Sequence, residues 1–136
     1  MTEPLRRAAL VALAFMLGLA ATPVGATVLP PSRPGQCGVV HGRMSFANGT
    51  FSYRIWVIGT HRMLRVLDAK GLHLDDTDAL PEPLATRLRP YRKDVWGQDI
   101  FADFKVCAVT PTRPGVMQSV TIAGASKVRI VATPVP

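Results

Sequence analysis

Residues 41–66 have the sequence HGRMSFANGTFSYRIWVIGTHRMLRV. Apolar and polar residues alternate along this segment, which is typical of β-strands with one buried face. Asn48-Gly49 fits a two-residue turn with positive φ at both positions, the strongest local signal for a β-hairpin. Gly59-Thr60-His61 fits a second turn. We therefore predict a three-stranded antiparallel meander made of Val39–Phe46, Phe51–Ile58 and Arg62–Leu67.

The alternation also assigns side chains to the two faces of this meander. The face that we expect to be buried carries Val40, Gly42, Met44, Phe46, Phe51, Tyr53, Ile55, Val57, Leu64 and Val66. The outer face is expected to carry His41, Arg43, Ser45, Ser52, Arg54, Trp56, Met63 and Arg65. Gly42 interrupts the apolar series, and a glycine inside a strand often marks a bulge or a tight bend.

Downstream of the meander the pattern predicts a loop, a short helix and further strands. Leu80–Arg89 is the predicted helix, because Leu84 and Leu88 lie four residues apart and Pro90 ends the segment. Asp99–Val109 is a predicted strand with apolar residues on both faces, so we expect it to be buried on both sides. Two shorter strands, Val116–Ile122 and Lys127–Ala132, would follow, separated by a turn at Ala123–Ser126.

This order of elements predicts an all-β domain with one short helix. Three meander strands, a helix and a hairpin occur in that order in OB-type barrels. We therefore expect an OB-like, five- to six-stranded antiparallel barrel, since closure removes the exposed edges of a sheet. The alternative is an open antiparallel sheet with the helix on one face.

The N-terminal residues have the features of an export signal. Arg6 and Arg7 precede the apolar run Ala8–Ala21, and Val24-Gly25-Ala26 fits a small-residue cleavage site. The alternative is a retained membrane anchor, but a spanning helix needs about 20 apolar residues and this run is shorter. We predict a signal peptide over residues 1–26, a Pro-rich tether over 27–36, a barrel domain over 37–132 and a tail over 133–136. The mature protein would be periplasmic or secreted, with no stable membrane span.

Cys37 and Cys107 are the two cysteines of the chain. Cysteines of exported proteins most often pair, so we predict a disulfide between them. Two free thiols are the alternative. No C-x-x-C motif is present, which argues against thioredoxin-type exchange.

Long segments of the chain resemble a group of small exported bacterial proteins of unknown function. The resemblance lies in CGVVHGRMSFANGTFSYRIWVIGTHR (Cys37–Arg62), in DIFADFKVCAVT (Asp99–Thr110) and in PGVMQSVTI (Pro114–Ile122). The group is expected to have C-P-L at Cys107-Ala108-Val109 and a further cysteine within Val120-Thr121-Ile122. The absence of that third cysteine here favours the pairing of Cys37 with Cys107. The resemblance implies no particular activity.

Charge and alternation together indicate a candidate binding surface. Residues 27–136 contain 14 Lys and Arg against 8 Asp and Glu, a net charge of +6 that makes an anionic partner plausible. Cations around one large aromatic ring can hold a phosphate backbone and stack a base or sugar. The predicted ligand-binding residues are Arg43, Arg54, Trp56 and Arg65, with His41 and Arg62 near the rim. The alternative is that Trp56 packs under the helix or tether while the arginines pair with Asp99, Asp103 or carbonyls.

Cofactor and metal chemistry are not indicated by any motif. The acidic segment with His73, Asp75, Asp76 and Asp78 lacks the glycine and distal glutamate of an EF-hand loop. We predict a solvated acidic loop there, with no metal and no cofactor.

Catalytic patterns are equally absent from the sequence. The histidines His41, His61 and His73 have no H-E-x-x-H spacing, and no G-x-S-x-G occurs. Asp99 and Asp103 would share one face of a strand, where a salt link to Lys105 is the simplest role. We predict a non-enzymatic binding module for an anionic oligosaccharide, nucleic acid or acidic envelope polymer. The alternatives are a structural or protein-interaction component of the envelope, or an enzyme centred on Asp103 and a histidine.

Overall fold

The computed structural model describes residues 30–47, 52–74, 76–91, 94 and 97–133. The predicted signal peptide, the predicted Asn48-Gly49 turn, Phe51, Asp75 and the last three residues therefore lie outside the described residues. The elements are β1 (Cys37–Ala47), β2 (Ser52–Val57), β3 (Met63–Leu67), α1 (Leu84–Leu88), β4 (Gln98–Ala108) and β5 (Gln118–Ala132). Single 3-10 turns occur at Thr77–Ala79 and Arg89–Tyr91.

The five strands close into a barrel in the order β1-β2-β3-β5-β4, with β4 returning to β1. The predicted fold class is confirmed: the described residues form mostly strands, with one short helix and a closed OB-like ring. One pairing differs from the antiparallel expectation, because β3 and β5 run parallel. A closed ring of five strands requires this, since strand directions cannot alternate around an odd number of members.

The last two predicted strands form one long strand, β5. The predicted turn at Ala123–Ser126 lies inside β5, where the pairing with β4 shifts register twice. One shift lies between Phe101 and Asp103, opposite Lys127 with its positive φ of 52°. Irregular pairing of this kind bends a strand without ending it. The bend lets β5 pair with β3 through its first residues and with β4 from Val120 to Ala132.

Side-chain direction in the first three strands follows the predicted alternation. Val40, Met44, Ile55 and Leu64 are fully buried, as inward positions should be. In β4 the inward residues include Ile100 and Phe104. The other face of β4 is only partly covered and Lys105 is exposed, so the expectation of burial on both sides is wrong. Phe101 made the outer face look apolar in the sequence. Among the described residues no second layer of the protein covers this ring; the guanidinium of Arg129 packs against it, with its Cζ 4.8 Å from the ring centroid.

The helix α1 is shorter than predicted but buries the expected residues. Leu84 and Leu88 join the barrel core, where they lie with Leu74 and Leu80. Arg87 donates a hydrogen bond from Nη1 to the carbonyl of Val128 in β5 at 2.8 Å. A helix this short has little stability alone, so its leucines and this bond hold it on the barrel.

Gly42 marks a close approach between two strands. Its pairing with both β2 and β4 is continuous, so the glycine does not mark a bulge. A Cβ atom at this position would lie 2.5 Å from Cγ2 of Ile55 and 3.2 Å from the carbonyl oxygen of Trp56. Only glycine fits here, because neither a β-branched side chain nor a backbone carbonyl can easily give way.

The predicted disulfide is present and fastens β1 to β4. Cys37 and Cys107 occupy directly paired positions of the two strands, and their Cα atoms are 4.0 Å apart. The described part of the predicted tether continues along the same edge. Gly35 donates to the carbonyl of Ala108, and Ala108 donates to the carbonyl of Gln36. Residues 30–36 are therefore held against the barrel by backbone hydrogen bonds.

None of the helices within the described residues has the length and hydrophobicity that crossing a membrane requires.

Candidate functional site

Trp56 and Arg43 form the centre of the outer surface of β1–β3. They are directly paired across β1 and β2, and the Cζ of Arg43 lies 5.4 Å from the centroid of the Trp56 ring. Nε1 of Trp56 donates to the carbonyl of Thr60 at 2.8 Å, which fixes the polar edge of the ring. Trp56 retains 37% of its accessible surface. The expectation that it faces outward is therefore met, and the ring is not buried under the helix.

A second row of outward residues lies beside the first and contains two directly opposed arginines. Arg54 of β2 pairs with Arg65 of β3, and Ser45 and Ser119 continue the row on either side. Two directly opposed arginines bring two positive charges close together on this part of the surface. Arg65 forms no ion pair with the described carboxylates, and its buried Nε has no hydrogen-bond partner among the described residues. We call Arg43, Arg54, Trp56 and Arg65 the Arg/Trp face.

The Arg/Trp face continues around the barrel onto β4 and β5. Phe101 of β4 lies directly opposite Arg43, and Arg129 of β5 lies directly opposite Phe101. A row of alternating cation and ring therefore crosses four strands, from Arg129 through Phe101 and Arg43 to Trp56. Sequence reasoning missed Phe101 and Arg129 because only the long-range register places them in this row. The sequence did contain one indication, because Phe101 is an aromatic residue at an outward-facing position of β4.

One carboxylate approaches the Arg/Trp face. Nη1 of Arg43 lies 3.7 Å from Oδ2 of Asp99, which also accepts a hydrogen bond from the hydroxyl of Thr133 at 2.9 Å. This contact agrees with the alternative that Asp99 pairs with an arginine of this face. A long ion pair with a half-exposed arginine contributes little stability, so Arg43 keeps its charge available to a ligand.

His41 projects from the same outer side of β1 as Arg43, but its side chain contacts a carboxylate of β4 rather than a residue of the Arg/Trp face. Its Nδ1 lies 2.8 Å from Oδ1 of Asp103, and Nζ of Lys127 lies 3.0 Å from Oδ2 of the same carboxylate. The hydrogen bond from Lys127, followed by that from His41, lowers the pKa of Asp103 below its usual value of 3.8. Lys105 forms no ion pair with the described carboxylates, so the expected salt link with Asp103 is not made.

The lowered pKa of Asp103 predicts a pH-dependent contribution to stability. A carboxyl group whose pKa is lower in the folded state stabilises that state fully above 3.8, and the contribution disappears as pH falls through the folded pKa. We therefore expect Asp103→Asn to be less stable than the wild type at neutral pH and to approach it once the pH falls below the folded pKa of Asp103. Urea unfolding from pH 7 to pH 2 measures this. A difference that does not change with pH would contradict the assignment.

Arg62 also lies apart from the Arg/Trp face. Its Nη2 donates to Oγ1 of Thr112 and to Oε1 of Gln118, both at 3.2 Å. The side chain lines a cavity of about 440 Å³ between the turn after β2 and the loop between β4 and β5. Met63 lines the same cavity and is directly paired with Trp56, so the cavity adjoins one edge of the Arg/Trp face.

The acidic loop is described in part, because Asp75 lies outside the described residues. Oδ1 of Asp76 accepts a hydrogen bond from the backbone N–H of Asp78 and caps the 3-10 turn that follows. Among the described residues, no group of three His, Cys, Asp or Glu side chains could hold a metal ion. Burial, with a smaller contribution from the charge of Asp76, raises the pKa of Tyr53 to about 12. This phenol therefore stays neutral inside the barrel.

No protein-family model, curated protein or solved structure matches this chain.

Proposed function

We propose that this protein is an exported, non-enzymatic binding module for an anionic polymer such as an acidic oligosaccharide, an acidic envelope polymer or a nucleic acid. The observation that carries the proposal is the row of alternating cations and rings on the outer surface of the barrel, from Arg129 through Phe101 and Arg43 to Trp56. A polymer that follows this row would meet guanidinium donors and flat rings in turn. Arg65 lies beside the row and adds a further positive charge that no described carboxylate pairs with.

The chemistry of the row supports a polymer with both charge and flat rings. Arginine binds phosphate, sulfate and carboxylate groups through two parallel N–H donors, and aromatic side chains stack on bases or sugars. Neighbouring strands are about 4.8 Å apart, so the row from Arg129 to Trp56 extends over about 14 Å of the curved surface. A surface of this length suits several units of a chain better than one small ion.

Two observations support placement outside the cytoplasm. The Cys37–Cys107 disulfide is of a kind that persists in oxidising compartments such as the periplasm and the extracellular space. The N-terminal export pattern, which lies outside the described residues, points in the same direction. We therefore propose a periplasmic or secreted location.

The salt dependence of binding tests the proposal. With a short fluorescein-labelled oligothymidylate as probe, contacts by three arginines should give a slope of log K against log salt of about −2. Arg65→Gln should reduce that slope by about 0.7 and weaken binding a few-fold at low salt. Fluorescence anisotropy across a salt titration measures both quantities.

Lys105→Gln is the matched control, because it removes one exposed positive charge from β4 outside the Arg/Trp face. Its slope should stay within error of the wild type. An equal loss in the two variants would mean that net charge alone attracts the probe, which contradicts a built site. Binding that does not weaken with salt would favour the alternative of an apolar protein-interaction surface.

A further inference from the structure

The cavity beside Arg62 has the size and lining of a small-molecule site. Its volume of about 440 Å³ lies within the range of ligand pockets, which is about 300–1,000 Å³. It lies between the turn after β2 and the loop between β4 and β5, at the Met63 edge of the barrel. Its lining includes His61, Arg62, Met63, Arg113, Val116 and Met117.

Arg62 is held in place by a buried amide. Gln118 is 1% exposed, and its Nε2 donates to the carbonyls of Pro31 at 2.7 Å and Thr110 at 3.0 Å. With both amide protons used, Oε1 is left to accept from Nη2 of Arg62. Thr112 accepts a second bond from the same nitrogen. The guanidinium is therefore fixed before any ligand arrives, which lowers the entropy cost of binding.

The positive charge of Arg62 is not neutralised by these contacts. Both partners, a hydroxyl and an amide oxygen, are uncharged, and no lining residue of the cavity is acidic. A guanidinium has five N–H donors, and those on Nη1 and Nε have no partner among the described residues. Arg113 and His61 line the same cavity and add to its attraction for an anion.

The remaining wall of the cavity is apolar and uncovered. Val116 is 63% exposed and Met63 is 38% exposed, both high values for such side chains. Met63 and Met117 have flexible thioether side chains that can adapt to an irregular apolar group. A charged donor set beside an apolar wall favours a ligand that has both an anionic and an apolar part.

We propose that this cavity binds a small ligand with an oxyanion head and a short apolar tail. The head, a phosphate, sulfate or carboxylate group, would accept hydrogen bonds from the free donors of Arg62. The tail would lie against Met63, Val116 and Met117. This site is distinct from the Arg/Trp face and does not depend on polymer binding there.

Octyl phosphate is the probe that tests the proposal, with inorganic phosphate as the head alone and octanol as the tail alone. In amide NMR titrations of the ¹⁵N-labelled protein, octyl phosphate should shift the signals of Met63, Gly115 and Val116 at concentrations where neither fragment does. Arg62→Gln should weaken its binding about tenfold to a hundredfold, since hydrogen bonds from a charged donor are lost.

Two further variants keep the test decisive. Val116→Glu places a carboxylate at an exposed lining position, so it should compete for Arg62 and weaken binding without altering the core. Arg89→Gln makes the same change as Arg62→Gln at an exposed arginine that does not line the cavity, and it should bind as the wild type does. Equal weakening in Arg89→Gln, or unchanged binding in both cavity variants, would overturn the proposal. Equal affinity for inorganic phosphate would overturn the role of the tail.

The head group could belong to a free metabolite or to a membrane lipid, and vesicles distinguish the two. Sedimentation with phosphatidylglycerol vesicles that is lost in Arg62→Gln and kept in Arg89→Gln would assign the site to a lipid. Binding of monomeric octyl phosphate without such sedimentation would assign it to a free ligand. Failure of both probes to bind would overturn this inference, whereas the polymer proposal would still be judged by the salt slope of Arg65→Gln.

Discussion

Replacing both cysteines, Cys37→Ala with Cys107→Ala, is expected to lower the free energy of unfolding by about 4 kcal/mol. The disulfide joins residues separated by 70 positions, so reduction releases a long loop in the unfolded chain and raises its entropy. Four kilocalories is a large share of the total stability of a domain of this size. Urea unfolding of the oxidised wild type and of the double variant measures the difference.

The reduced wild type is the natural control for this experiment. It should unfold at the same urea concentration as the double variant, because both lack the same constraint. The β1–β4 pairing and the bonds that Ala108 makes to Gly35 and Gln36 should survive in part, so the reduced protein should still fold at low temperature. If the double variant loses less than about 1 kcal/mol of unfolding free energy, the unfolded chain must retain enough β1–β4 contact to restrict it without the disulfide.

Gly42→Val is expected to destabilise the barrel by about 3 kcal/mol, at the upper end of the range for overpacked cores. The new Cβ would lie 2.5 Å from Cγ2 of Ile55, a branched side chain that is fully buried, and 3.2 Å from the carbonyl of Trp56. Moving that carbonyl would disturb the strand that positions Trp56. Thermal and urea unfolding measure the loss, and Gly42→Ala should give a smaller loss of about 1 kcal/mol.

Gly124 offers a matched control on β5. A Cβ atom there would meet nothing within 4 Å, so Gly124→Val should be neutral or slightly stabilising through its effect on the unfolded chain. The double variant Gly42→Ala with Ile55→Ala gives a second check. Its loss of stability should be less than the sum of the two single losses, because removing Cγ2 of Ile55 relieves the clash. Strict additivity would contradict the steric explanation.

Local alternation in the sequence was enough to predict most of the first three strands. It placed four residues on one outer face: Arg43, Arg54, Trp56 and Arg65. Side chains in a strand alternate between the two faces, so once the buried residues are known the remaining ones must point outward. It also predicted the short helix from Leu84 and Leu88. Once the ring is closed, a parallel pair follows from its odd number of strands, but neither the closure itself nor the length of β5 follows from local alternation.

The rest of the candidate site depends on contacts between distant parts of the chain. His41 contacts Asp103, which also pairs with Lys127, and Arg62 contacts Thr112 and Gln118, so the polar partners of both lie outside the Arg/Trp face. Sequence spacing cannot reveal these partners, which lie 50 or more positions away. The break predicted at Ala123–Ser126 was wrong because small residues can bend a strand at a shifted register as well as end it.

The position of β5 in the ring has a consequence for the order in which the chain can fold. β5 is the strand that closes the barrel, since it bonds to β3 on one side and to β4 on the other. Before Gln118 and the residues after it are available, the sheet has two unpaired edges. The β1–β4 and β3–β5 pairs also join strands that are far apart along the chain. Such non-local topologies assemble slowly. A nascent chain of this protein should therefore complete its barrel only after nearly all of it has been synthesised, and until then it lacks the closed structure that would prevent passage through a narrow channel.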